Sequence, residues 1–399
     1  MSYNYRPNNK RARTTYSSAN HRSRPNNNRR GKKYINPDLF VKAATMAETE
    51  AYNPTHKFAD FPLEARLQVN LKAKGYETPS PIQDQTIPAA LSGKDIIGIA
   101  STGTGKTAAF ALPVLQRLIT DQNAAALIIA PTRELAQQIE VECQKLGKGP
   151  GLRGALLIGG TNMSGQLRDL RQRPNIVIGT PGRIKDHLQR GSLKLRQFNM
   201  IVLDEVDRML DMGFVKDVTE ILSNTNPERQ SMFFSATIDP KVQTLINTFT
   251  KDPLTVSLQA SSASENVHQD VVKYRGNTDK LDKLHDVLIN EKVAKVIVFD
   301  ETQRNVEKLG NELAARGFST DALHGGKSQG QRKRALARFK NNDITVLVAT
   351  DVAARGIDVV DITHVINYST PNDYEDYIHR IGRTGRAGRV GYALTFIPL

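Results

Sequence analysis

The sequence predicts an α/β protein of two tandem domains, each a parallel sheet flanked by helices, behind a disordered basic tail. Three observations carry that reading. From Phe58 onward, short β-branched runs alternate with longer amphipathic segments, the pattern of strand–helix–strand crossovers. The chain has 399 residues, too many for one ordinary core and enough for two. The first 37 residues are rich in Asn, Arg and Ser and have no hydrophobic period, so they bury too little apolar surface to offset the entropy of ordering.

Taken in chain order, residues 1–57 are a tail and lead-in. Residues 1–37 hold ten Lys and Arg and no acid, which leaves only +4 of the formal net charge of +14 for the rest of the chain. Tyr3, Tyr5, Tyr16 and Tyr34 sit among these cations, a composition suited either to stacking on bases and pairing with phosphates or to a solvated extension. Residues 58–256 form the first domain, with strands at Asp95–Ala100, Ala126–Ala130, Gly154–Gly159, Asn175–Thr180, Met200–Glu205 and Ser231–Thr237. The polar stretch 257–269 reads as a linker. Residues 270–399 form the second domain, with strands at Lys295–Asp300, Ser319–His324, Thr345–Asp351, His364–Ser369 and Tyr392–Pro398.

No apolar stretch is long enough to span a bilayer and the N-terminus lacks the apolar core of a secretory signal, so no membrane partner and a cytoplasmic location are expected. The single cysteine, Cys143, shares a helical face with Leu135, Ile139 and Leu146 and reads as a small core residue. The eight histidines have no ligand spacing, so no transition-metal site is expected.

Chemistry first shows at Ala100-Ser-Thr-Gly-Thr-Gly-Lys-Thr107, which follows a strand and opens a helix. Gly103 and Gly105 let backbone N–H groups approach phosphates, Lys106 suits the β- and γ-phosphates, and the Thr107 hydroxyl suits Mg²⁺. Ala100 stands where the strict phosphate-loop pattern has Gly. A second strand ends in Asp204-Glu205-Val206-Asp207, where Asp204 suits the metal and Glu205 the attacking water. Other polar clusters (Pro131–Glu134, Gly159-Gly160, Thr180–Arg183, Ser235–Thr237, Asp351–Asp358) also follow strands, the sheet edge where ligands bind in parallel α/β folds. The second domain carries His379-Arg-Ile-Gly-Arg-Thr-Gly-Arg, whose arginines suit bidentate phosphate contacts.

Together these motifs resemble the DEAD-box RNA helicases of superfamily 2, over Phe58 to the C-terminus. The resemblance implies two RecA-like domains, ATP and Mg²⁺ as ligands and RNA as partner. Gly75–Gln83, with Phe58 upstream, resembles the Q motif, which implies that Gln83 reads the adenine edge, Tyr76 stacks on it and Phe58 belongs to the same site. The phosphate loop, including Thr102 and Thr104, resembles motif I, whose family form also begins with Ala. Pro131–Ala136, Gly159-Gly160 and Thr180–Arg183 resemble motifs that grip RNA backbone, which implicates Arg133, Gly160, Thr180 and Arg183. Ser235-Ala-Thr237 resembles motif III and implies coupling through Asp207. Gln331 with Arg334 fits the family's Q-x-x-R element. In Ala349–Asp358, Thr350, Asp351 and Arg355 are implied to face RNA, and Gly356 and Asp358 the nucleotide. His379–Arg386 resembles motif VI, with His379 in coupling and Arg383 and Arg386 at the γ-phosphate.

The family's D-E-A-D reads D-E-V-D here, with Val206 in a position that binds no metal. The family's closing helix is expected to be short or missing after the last strand. The function implied is ATP-dependent RNA strand separation or remodelling by a monomer, with RNP proteins as further partners. A DNA-directed helicase on the same plan and an RNA clamp with little turnover are the alternatives.

Overall fold

A computed structural model of the chain describes residues 35–45, 52–101, 103–258, 265–290, 293–354, 359, 361–385 and 389–399. The first sheet has seven parallel strands: β1 (Ile96–Ile99), β2 (Ala126–Ile129), β3 (Gly154–Leu157), β4 (Ile176–Gly179), β5 (Met200–Leu203), β6 (Gln230–Ser235) and β7 (Leu254–Ser257). Between and around them lie α1 (Ala65–Ala73), α2 (Pro81–Leu91), α3 (Lys106–Thr120), α4 (Arg133–Leu146), α5 (Met163–Arg171), α6 (Pro181–Gln189), α7 (Val206–Asp211), α8 (Val215–Ser223) and α9 (Pro240–Phe249). The second sheet has six parallel strands: β8 (Val267–Tyr274), β9 (Val296–Phe299), β10 (Thr320–Leu323), β11 (Val346–Ala349), β12 (His364–Asn367) and β13 (Gly391–Pro398). Its helices are α10 (Gly276–Leu288), α11 (Gln303–Ala315), α12 (Gln329–Lys340), α13 (Asp351–Ala354) and α14 (Tyr374–Ile381).

Helices on both faces explain why the central strands are apolar throughout rather than alternating. In the first sheet Ile96, Ile128, Val202 and Phe234 pack on one face against α1 to α4, while Ile97, Leu127, Ile201 and Phe233 pack on the other against α6 to α9. On α4, Leu135, Ile139, Cys143 and Leu146 are all buried, and burial pushes the Cys143 thiol up to about 12. That thiol belongs to the core.

The strand orders, β3-β4-β2-β5-β6-β1-β7 and β10-β11-β9-β12-β13-β8, position the chemistry. Three adjacent strands, β5, β6 and β1, deliver Asp204–Asp207, Ser235–Thr237 and the phosphate loop side by side. The other neighbouring trio, β3, β4 and β2, delivers Gly159-Gly160, Thr180–Arg183 and Pro131–Glu134. One sheet edge thus carries both sets of polar loops, three neighbouring strands each.

Two edge strands depart from the sequence reading. β7 is absent from the expected strands, and β8 begins at Val267, inside the stretch read as linker. Residues 35–45 and 52–57, grouped with the tail and lead-in, are also built into the fold. Phe40 is buried on the second domain, and Tyr52, Thr55 and His56 bond to Asp84 in the first. Residues 1–34, the bulk of the expected tail, lie outside the described residues. Among the described residues no helix is long and apolar enough to cross a membrane.

Candidate nucleotide and nucleic-acid site

At the β1–α3 turn, Gly103 and Gly105 take φ of +86° and +95°, the left-handed region in which a Cβ is strained. A Cβ on Gly105 would also collide with the Gln83 amide. Lys106 is buried, and its Nζ donates to Ala100 O at 2.8 Å, which holds the ammonium inside the loop. Thr107 lies in the first turn of α3, whose N-terminal dipole favours anions. The loop is braced from α2: Ser80 Oγ donates to Thr104 O at 2.6 Å, and Gln83 Nε2 donates to Gly105 O at 3.0 Å. Gln83 Oε1 also accepts from Ser80 N at 2.8 Å.

Gln83, expected at the adenine edge, has both ends of its amide engaged: Oε1 closes the capping box of α2, and Nε2 donates to the phosphate loop. Phe58, grouped with the nucleotide ligands, is only 2% exposed and packs edge-on under Tyr76 at 5.2 Å. It supports Tyr76 from the core. Thr102 lies outside the described residues.

Asp204 and Glu205 are both buried where β5 ends. Glu205 takes φ +53°, ψ +56°, a left-handed conformation rare for a non-glycine residue and typical of strain held at functional sites. Burial pushes the Asp204 carboxyl up to about 6 against the pull of Lys106, with Glu205 and Asp207 adding to the rise. A buried carboxylate among other carboxylates gains from a cation, and with the Thr107 hydroxyl the donor set is hard oxygen, which fits Mg²⁺.

Asp207 joins this strand end to the next. Its Oδ2 accepts from Ala236 N at 3.0 Å, Thr237 N at 2.9 Å and Thr237 Oγ1 at 3.1 Å, while Asp207 N donates to Ser235 Oγ at 3.2 Å. Asp204–Asp207 and Ser235–Thr237 are thus joined by four hydrogen bonds.

The other half of the edge opens on a cleft of about 580 Å³ lined by Pro131–Glu134, Gly159, Gly160, Thr180, Gly182 and Arg183 from the first domain and Gly325, Arg332 and Val352 from the second. Two helices begin here, α4 with Thr132 as its cap and α6 with Thr180 before Pro181, so backbone N–H groups and positive dipole ends face the cleft. Arg133 lies so close over Gly159 and Gly160 that a Cβ on Gly160 would strike its guanidinium. Arg183 Nη1 donates to Gln166 Oε1 at 3.4 Å, and its Nε lies 3.6 Å from Asp186. Arg133 thus packs on the neighbouring Gly159-Gly160 loop and Arg183 on α5 and α6, both bordering the cleft.

In the second domain Arg380 forms a fork with Asp351, Nε to Oδ1 at 2.5 Å and Nη2 to Oδ2 at 2.7 Å, and donates to Asn367 and to Ser369 O. Asp351, expected to face RNA, is here paired with Arg380 of α14. Arg383 is buried and lines a small cleft with Arg208, Asp351, Asp376, His379 and Arg380. His379 Nε2 lies 3.8 Å from Glu375. Thr350 is buried at the end of β11. Arg355, Gly356, Asp358 and Arg386 lie outside the described residues.

The domains meet at both ends of this face. Arg208, just past Asp207, reaches Asp376 of α14 at 3.6 Å. Arg332 Nη2 makes an ion-pair contact at 2.8 Å with Glu134 Oε2, and Gln329 Nε2 donates to Gln137 Oε1 at 3.2 Å. The sequence reading took the Q-x-x-R pair as Gln331 and Arg334, which are exposed; Gln329 and Arg332 have the same spacing and are buried. The signal was present, since Arg332, Ala335 and Phe339 share the buried face of α12.

Comparison with known proteins agrees with this geometry. The DEAD/DEAH box helicase signature matches residues 80–245, and the helicase conserved C-terminal domain matches residues 279–388. The ATP-dependent RNA helicase CshA of Limosilactobacillus reuteri is 44% identical over 343 residues, which are 86% of this chain and 69% of that protein. The chain belongs to the DEAD-box ATP-dependent RNA helicase family. Among solved members of this family, Saccharomyces cerevisiae Dbp5 bound to RNA and ADP BeF3 is 30% identical with a TM-score of 0.76, covering 86% of this chain and 89% of that one. A DEAD box protein from Methanococcus jannaschii is 38% identical and covers 86% of this chain and 93% of that one, yet its TM-score is 0.50.

Proposed function

We propose that this DEAD-box chain hydrolyses ATP to separate short RNA duplexes or remodel RNA–protein complexes, closing its two domains around both ligands. The observation that carries the proposal is the Asp207 hub, which ties the carboxylates beside the phosphate loop to Ser235 and Thr237 through four hydrogen bonds. Phosphates replace Ala100 O as the partner of Lys106 and take the N–H groups at the start of α3. Asp204 and Thr107 would hold Mg²⁺, which would neutralise phosphate charge. Glu205, fixed by its strained backbone, orients the attacking water. Arg383, held by α14, supplies positive charge to the γ-phosphate once the domains meet, with Arg386 as its companion. Tyr76 packs on the adenine.

RNA backbone lies in the shared cleft against the N-termini of α4 and α6, Gly160, Thr180, Arg133, Arg183 and Thr350. Such contacts go to phosphate and sugar and impose little sequence preference. Closure around one strand excludes the other, and hydrolysis reopens the cleft. The protein acts as a cytoplasmic monomer whose further partners are RNP proteins. Substitution of Glu205 by Gln tests the core of this proposal. ATP turnover falls at least a hundredfold while RNA binding in the presence of ATP persists; undiminished turnover removes Glu205 from its role.

A further inference from the structure

Residues 35–45 precede the first domain in sequence but pack on the second. Asn36 caps a single 3-10 turn, Pro37–Phe40, through Asp38 N. That turn drives Phe40, 1% exposed, into a cluster with Val267, Tyr377, Ile381 and Ala393, its ring 4.7 Å from that of Tyr377. Two residues on, Lys42 and Gln269 exchange backbone hydrogen bonds of 3.0 and 2.8 Å, adding an antiparallel bridge to the edge strand β8. The Gln269 side chain accepts from Tyr377 Oη at 2.9 Å, so bridge and ring are held by the same two residues. The chain is fastened again in the first domain, where Tyr52, Thr55 and His56 bond to the buried Asp84. From Thr45 to Tyr52 the backbone can span at most about 25 Å.

We propose that residues 35–45 are an interdomain strap, and that Phe40 is a positioning residue for hydrolysis. Its ring contacts Tyr377 and Ile381 on α14, the helix that also carries His379 and Arg380 and leads into Arg383. Docked, the strap seats that helix and keeps the second domain within a short covalent reach of the first. It is a second tether beside the linker between β7 and β8, and it favours the closed arrangement before RNA binds. The inference rests on the proposed reading that domain closure brings Arg383 to the ATP site.

The test uses three variants of the full chain. Roughly twelve Gly and Ser residues inserted between Thr45 and Tyr52 leave Phe40 docked but lengthen the tether. Phe40→Ala removes the dock, and Val41→Ala alters an exposed neighbour as control. The readouts are energy transfer between dyes on exposed positions of the two domains, steady-state ATPase, and thermal unfolding. The insertion lowers the closed fraction and raises KM for RNA two- to fivefold at unchanged kcat and melting temperature. Fivefold is about the limit set by the −3/2 power of tether length. Phe40→Ala raises KM at least as much, and Val41→Ala matches the parent. If the insertion leaves energy transfer and KM at parental values while Phe40→Ala only lowers the melting temperature, the segment is packing of the second domain and the strap is refuted. Arg383→Ala, measured in parallel, separates the two readings. Parental turnover in that variant overturns the closure mechanism and the strap with it, whereas lost turnover there with silent strap variants overturns the strap alone.

Discussion

Asp84 holds the entry to the first domain with one carboxylate. It accepts from Tyr52 Oη at 2.6 Å, Thr55 N at 2.7 Å and His56 N at 3.1 Å. Burial pushes its carboxyl up, but the bonds from Tyr52, Thr55 and His56 outweigh that and hold it below the ordinary aspartate range. Its stabilisation is therefore complete above about pH 4, the unfolded value, and is lost as pH falls through the lower folded value. Asp84→Asn lowers unfolding stability at pH 7 by about 1–3 kcal/mol, and the difference from the parent shrinks below pH 4, as urea titrations at the two pH values read out. A difference that persists in acid would mean that the carboxylate charge is not what holds the segment. At this scale the sequence was most legible where chemistry dictates residue type, as at Lys106, Asp204 and Asp207. It was least legible where a residue serves its neighbour. Asp351 and Arg380 both look like ligand groups in sequence, but only the fold shows that they neutralise each other.

The element that decides how the domains meet on the nucleic-acid side is α12. Its buried stripe of Arg332, Ala335 and Phe339 turns Arg332 toward Glu134 at the start of α4, both side chains under a tenth exposed. Breaking one partner leaves the other charge buried and unpaired, which costs more than removing both. A double-mutant cycle of Glu134→Ala and Arg332→Ala, read as the closed fraction with RNA and an ATP analogue, gives a coupling energy of about 0.5–3 kcal/mol. Additive effects would show that the contact does not stabilise closure. Helices and inner strands were readable because burial on both faces forces apolar runs. The edge strands were not. β8 buries only one side, so His268, Asp270 and Lys273 interrupt its pattern, and it follows a polar stretch that reads as linker. Most of β7 is exposed.

Across the whole molecule the charge is uneven, with +10 of the +14 in residues 1–37. Under the proposed function, RNA affinity of the two domains would rest on a few placed groups, the N-termini of α4 and α6 and Arg133 and Arg183 at the cleft, and the tail would add a non-specific term. Deleting residues 1–34, which spares the strap, flattens the dependence of RNA affinity on salt by about 0.7 in log–log slope for each phosphate that the tail had neutralised, while kcat at saturating RNA holds. An unchanged slope makes the tail a solvated extension. The two-domain plan and the shared sheet edge were legible from the order of motifs. The contacts between the domains were not, because pairs such as Arg208 and Asp376 join distant parts of the chain. The most direct measurement of the central claim is release of a short labelled strand from an RNA duplex and from the matching DNA duplex, with ATP or a non-hydrolysable analogue. The account predicts release from RNA that depends on ATP and is lost in Glu205→Gln, with little release from DNA; equal release from both duplexes, or none from RNA, would contradict it.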